Sequence, residues 1–124
     1  MIRLDTNYIL RYLLNDNEKM AAQAEKIILE QEVFVSNEVL AEVVYVFEGV
    51  YELEASRIAE VLEALLQPEN IQVSDKYMLL KALQIYASKG LDFVDCILCA
   101  YGAIDQIATF DKKLQKCVAA EKEI

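Results

Sequence analysis

Histidine is absent from all 124 residues. Its absence removes Ser-His-Asp triads, Cys-His pairs, histidine-based ribonuclease chemistry and histidine-ligated zinc, so any catalysis has to run on carboxylates. Proline occurs once, and 56% of the residues are hydrophobic, which sets the chain apart from disordered sequences. Long apolar runs are missing too. None approaches the roughly 20 residues of a membrane span, and "MIRLDTN" carries an acid where a signal peptide would continue its apolar core. These absences predict a cytoplasmic protein with no membrane association. Cysteine is scarce and odd in number. Cys96 and Cys99 lie one helical turn apart in an apolar segment, and together with Cys117 they are expected to be small core residues in a reducing compartment rather than a redox or zinc site. Basic residues are also in short supply: 12 Lys and Arg stand against 21 Asp and Glu, a formal charge of −9. Such a surface repels nucleic acid at long range and attracts basic partners, although a metal in an acidic cleft inverts the field locally.

The length fits one domain, residues 1–124, with a substantial core and no need of staples. Short apolar runs alternate with longer helical patterns: "MIRL" before "DTNYILRYLL", "EVFVS" before "NEVLAEVVYVFEGV", "NIQVS" before "DKYMLLKALQIYASKG", and "QIATF" before "DKKLQKCV". Further helices fit "EKMAAQAEKIILE", "EASRIAEVLEALLQ" and "FVDCILCAYGAI". Alternation of this kind predicts an α/β fold of three layers around a mostly parallel sheet.

Ligands of open parallel sheets bind beyond the carboxyl ends of the strands. Asp5 directly follows the first apolar run and Asp111 directly follows "IATF", so both fall on that edge. Glu42 shares a helical stripe with Glu38 and Tyr45, in the second turn of the helix after the second strand. Asp95 interrupts "GLDFVDCILCAYG", a stretch otherwise suited to burial, and an ionised carboxylate there needs a hydrogen bond, a partner or a metal. Asp92 lies three residues earlier on the same face. Each acid also has a structural explanation: Asp5, Asp92 and Asp111 suit helix N-caps, Asp95 a capping-box-like turn and Glu42 a solvated stripe. Four acids from separated segments are nevertheless what a hard divalent cation requires. Asp75 reads as a helix cap, Asp16 as a turn residue and Asp105 as part of the loop before a last strand.

The stretches "LDTNYILRYLL", "VLAEVVYVFEGVY", "LDFVDCILCAYG" and "ATFDKKL" resemble, in order and spacing, the motifs of PIN domains, especially the VapC-like toxins of bacterial and archaeal toxin–antitoxin pairs. The resemblance implies a PIN-like sheet of four or five strands and an endoribonuclease that uses one or two Mg²⁺ or Mn²⁺ ions. It places Asp5, Glu42, Asp95 and Asp111 in the metal-binding and catalytic quartet. Asn7 and Thr109 fall at polar supporting positions expected to hold the first and last aspartates, and Asp92 at an accessory one. The short C-terminus, "CVAAEKEI", departs from the pattern and puts a fifth strand in doubt. Lys112, Lys113 and Lys116 suit RNA contact as well as they suit a solvated helix face, and Arg11 is a weaker candidate. The implied partners are RNA, an antitoxin with a basic C-terminal segment and, from the apolar "YILRYLL" and "VVYVFEGVY" helices, a second copy of the chain. Two other readings use the same acids: a non-catalytic module that binds a basic peptide or metal, and an aspartyl-phosphate enzyme, which would want an acid where Asn7 stands.

Overall fold

A computed structural model describes residues 1–122. Three short strands, β1 (Ile2–Arg3), β2 (Val33–Phe34) and β3 (Ile71–Gln72), form a parallel sheet in the order β1-β2-β3. Ile2 pairs with Val33, and Val33 in turn with Ile71. Between the strands run α1 (Thr6–Leu14), α2 (Glu18–Glu30), α3 (Asn37–Gly49) and α4 (Ala55–Leu65); α5 (Lys76–Lys89), α6 (Phe93–Tyr101) and α7 (Lys112–Lys122) follow. The expected α/β architecture with a parallel sheet is thus present.

The helix starts are written locally. Asp5, Asn17, Ser36, Asp75 and Asp92 each accept a backbone N–H three residues on, which satisfies a donor that the first helical turn leaves open. Three of these caps, Asp5, Ser36 and Asp75, come two or three residues after a strand end, so α1, α3 and α5 all begin at the carboxyl edge of the sheet. Gly90 ends α5 in the left-handed conformation, at φ 64°, which costs a glycine nothing.

Hydrophobic burial fixes the helices against the sheet. Val33, Val35 and Ile71 meet Ile9, Leu40, Val43, Val44 and Phe47 from α1 and α3 and Ile58 and Leu62 from α4 within one core cluster. Tyr86 of α5 is buried, stacks edge-on against Phe93 at the start of α6, and donates its hydroxyl to the Glu48 carboxylate of α3. Gly102, after α6, lies so close to α7 that a Cβ there would meet Val118 Cγ1 at 2.9 Å and the Cys99 carbonyl oxygen at 3.0 Å.

Two expectations are corrected. "QIATF" is not a strand, and the described residues contain three strands rather than four or five. The segment satisfies its backbone through side chains: the Thr109 carbonyl accepts from Gln115 Nε2 at 2.7 Å and Thr109 Oγ1 accepts from the Asp111 N–H at 3.0 Å, in place of ladder bonds. Nor are the cysteines all free. Cys99 and Cys117 are disulfide-bonded and join α6 to α7, while Cys96 is a free, buried thiol whose pKa burial raises to about 12. The C-terminal "CVAA" belongs to α7; Glu123 and Ile124 lie outside the described residues. Among the described residues no helix is long and apolar enough to cross a membrane.

Candidate active site

Asp5 is the N-cap of α1: its Oδ1 accepts from the Tyr8 N–H at 2.8 Å. The next residue, Thr6, donates its hydroxyl to Glu42 Oε2 of α3 at 3.2 Å, so the first strand end and the α3 stripe meet. One turn further along that stripe, Tyr45 donates its hydroxyl to Asp92 Oδ1 at 2.9 Å. Burial, followed by that bond and the charge of Asp92, raises the Tyr45 pKa to about 12, which keeps it a donor at neutral pH. Helix α3 therefore ties the start of α1 to the start of α6.

At the start of α6, Asp92 Oδ2 accepts from the Asp95 N–H at 3.3 Å. The Asp95 carboxyl is half-buried and makes no hydrogen bond among the described residues. Its pKa is raised, first by burial and then by the negative charges of Asp92 and Asp111. Asp95 thus lies within reach of two other negative charges, one from its own helix start and one from the head of α7. Asp111 Oδ1 accepts from the Lys113 N–H at 2.8 Å and the Leu114 N–H at 3.3 Å, which pins it at the head of α7.

The contacts leave two groups of acids: Asp5 and Glu42, tied through Thr6, and Asp95, which feels the charges of Asp92 and Asp111, with Tyr45 of α3 bonded to Asp92. None of Asp5, Glu42, Asp95 and Asp111 takes part in an ion pair among the described residues. Each keeps at least one carboxylate oxygen without a donor among the described residues, whereas both oxygens of Asp92 accept, from Tyr45 and from the Asp95 N–H. That difference separates a set with spare acceptors from a structural aspartate beside it.

The donor set consists of oxygen atoms with uncompensated negative charge, and this chemistry suits a hard divalent cation. Among the described residues no three acids stand close enough together to hold a metal ion. A cavity of about 570 Å³ is lined by α5 residues and Glu121 and includes none of these acids. A smaller one of about 310 Å³ opens beside Asp5, between β1 and residues Tyr8 and Ile27.

The supporting positions are placed differently from expectation. Thr109 bonds the backbone of Asp111 rather than its carboxylate, and Asn7 is exposed with no hydrogen bond to Asp5. The residue that ties the first acid's helix to Glu42 is Thr6, which sequence reasoning passed over although it stands inside "LDTN". Arg11 is engaged by Asp16 at 3.1 Å, and its Nε is buried without a partner. Lys112, Lys113 and Lys116 are exposed on α7. Asp75 caps α5 as expected, and Asp105 lies in the loop after α6.

The family model for the PIN domain matches residues 2–119, a range that includes all four acids. A VapC ribonuclease from Aquifex aeolicus (strain VF5) is 29% identical over 121 residues, covering 91% of this chain and 89% of that protein. No solved structure gives a significant match.

Proposed function

Because the chain belongs to the PIN domain family, we propose that it is a metal-dependent endoribonuclease that hydrolyses RNA phosphodiester bonds and serves as the toxin of a toxin–antitoxin pair. The observation that supports this reading is that Asp5, Glu42, Asp95 and Asp111 stand outside any ion pair among the described residues, each with a carboxylate oxygen that accepts from none of their donors. The VapC ribonuclease relative supplies the substrate class.

One or two Mg²⁺ or Mn²⁺ ions held by this quartet would supply Lewis acidity and a water of lowered pKa. The chain's own groups do the rest. The helix caps of α1 and α7 orient Asp5 and Asp111, so little side-chain entropy is left to lose when they take a ligand. The Thr6 hydroxyl sets the direction of Glu42. Tyr45 and the α6 backbone hold Asp92, whose charge keeps the Asp95 carboxyl poised for a positive partner. Lys112, Lys113 and Lys116, exposed on α7, would receive phosphates beside Asp111. Attack by water in line with the leaving oxygen gives a 5′-phosphate and a 3′-hydroxyl.

Control falls to an antitoxin whose basic C-terminal segment is attracted by the −9 charge of the chain and whose arginines can pair bidentately with the spare carboxylate oxygens. Val50 and Tyr51 after α3, 70% and 40% exposed, support the contact of α1 and α3 with a second copy or with that antitoxin. The test is incubation of the purified, partner-free chain with RNA and Mg²⁺ or Mn²⁺, alongside Asp5→Asn, Glu42→Gln, Asp95→Asn and Asp111→Asn. Each variant is expected to remain folded and to lose most cleavage, and Asp92→Asn to lose less. Folded variants that cleave at the parent rate would remove the quartet from the chemistry; a metal-supplied parent with no cleavage would favour the non-catalytic module.

A further inference from the structure

Phe110, immediately before Asp111, is 103% exposed, the most uncovered large hydrophobic among the described residues. Singly exposed apolar residues are common on protein surfaces, so what sets Phe110 apart is its place beside Asp111 in a held turn. The backbone that presents it is fixed on both sides. Thr109 Oγ1 accepts from the Asp111 N–H and the Thr109 carbonyl from Gln115 Nε2, while Asp111 Oδ1 accepts from the Lys113 N–H at 2.8 Å. The ring is therefore displayed by an ordered turn. Its chain neighbours are Thr109 and Asp111, and the next helical turn carries Lys112 and Lys113, exposed and outside any ion pair among the described residues.

Resting on the ribonuclease reading above, we infer that Phe110 is a stacking platform for an unpaired base of the RNA substrate next to the bond to be cut, with Lys112 and Lys113 taking the phosphates that flank that base. An aromatic face accepts any base, whereas a base inside a duplex has both faces covered, so such a platform selects single-stranded RNA without selecting sequence. Charge favours RNA over a protein partner here, because Lys112 and Lys113, which follow the ring in the chain, are exposed and suit phosphates. The platform adds a binding contact to the carboxylate site and takes no part in bond breaking.

The chain has no tryptophan, so Phe110→Trp installs a single fluorescent reporter on an exposed site where folding is not at stake. In the double variant Asp5→Asn/Phe110→Trp with Mg²⁺, a single-stranded oligoribonucleotide is expected to quench the emission to saturation, and the same sequence as a duplex to leave it nearly unchanged. In the cleaving chain, Phe110→Ala is expected to raise KM for single-stranded RNA roughly 5- to 100-fold with kcat little altered, and Phe110→Tyr to restore the parent value. Unquenched emission together with a parent-like KM for Phe110→Ala overturns the platform and leaves the ribonuclease standing. An emission change that follows protein concentration without RNA assigns the ring to a protein contact and overturns it as well. A metal-supplied parent that cleaves no RNA fails one step earlier, at the ribonuclease itself.

Discussion

Replacing Tyr86 by Phe removes one oxygen from a residue that braces two of the helices carrying the acids. The Tyr86 ring packs edge-on against Phe93 at 5.7 Å, and its hydroxyl donates to Glu48 of α3. The phenylalanine keeps the ring contact, so the loss is confined to a hydrogen bond to a charged group, about 1.5–3 kcal/mol. Glu48 is exposed and regains water when released, which places the expected loss near the lower end, about 1.5 kcal/mol. For a domain of this length that corresponds to a fall in Tm of about 6 °C, since the unfolding entropy is about 2.1 cal/mol/K per residue. A pH series supplies a second check. Burial, then the bond to Glu48 and its charge, raises the Tyr86 pKa above its ordinary value of 10.0. A group whose folded pKa is raised contributes stability below its unfolded pKa and loses it as pH rises through the folded one. The parent should therefore lose its advantage over Tyr86→Phe only above about pH 10, while the other tyrosines and the lysines titrate alike in both proteins. Thermal unfolding of the pair at pH 7 and in steps above pH 10 measures this; equal Tm values at pH 7, or a gap that persists through strong alkali, would refute the brace.

Asp95→Asn should unfold at a higher temperature than the parent at pH 7 in chelator. The Asp95 pKa is raised by burial and by Asp92 and Asp111, so the ionised form is penalised in the fold; the variant's advantage should shrink as pH falls through the raised folded pKa toward the ordinary 3.8 and be gone below it. Calorimetry that finds the variant less stable at both pH values would contradict the repulsion. Gly102→Ala should cost about 1–3 kcal/mol, because its Cβ would stand 2.9 Å from Val118 Cγ1 and 3.0 Å from a carbonyl oxygen. Urea unfolding measures it, and a second substitution, Val118→Ala, should recover part of the loss.

The helices were legible because their starts are encoded in neighbours three residues apart: Asp5 with Tyr8, Ser36 with Val39, Asp75 with Met78. The strand ends were legible from the same caps, which is why Asp5 fell correctly on the carboxyl edge. "QIATF" misled because its apolar alternation is a strand signal, while the hydrogen bonds that hold it come from Gln115 and from its own threonine hydroxyl, which periodicity cannot show. The place of Asp5 and Asp111 at the heads of helices was suggested by the sequence, but the ties around the acids were not. Thr6 to Glu42 and Tyr45 to Asp92 span 36 and 47 residues of sequence and exist only once α3 is packed between α1 and α6. The same holds for the pairing of Cys99 with Cys117, which depends on where α7 returns.

That pairing makes the chain locally circular. The segment from Cys99 to Cys117 is a closed ring that contains Asp111, and Asp95 sits one helical turn outside it. Ala103, Ile104, Asp105 and Gln106 form an exposed arc of the ring, where a protease would cut first. A single cut there opens the ring without releasing anything: the fragment bearing Asp111 stays anchored to the helix bearing Asp95. Nicked protein should therefore migrate as one species until it is reduced, and it should keep its last acid beside the third.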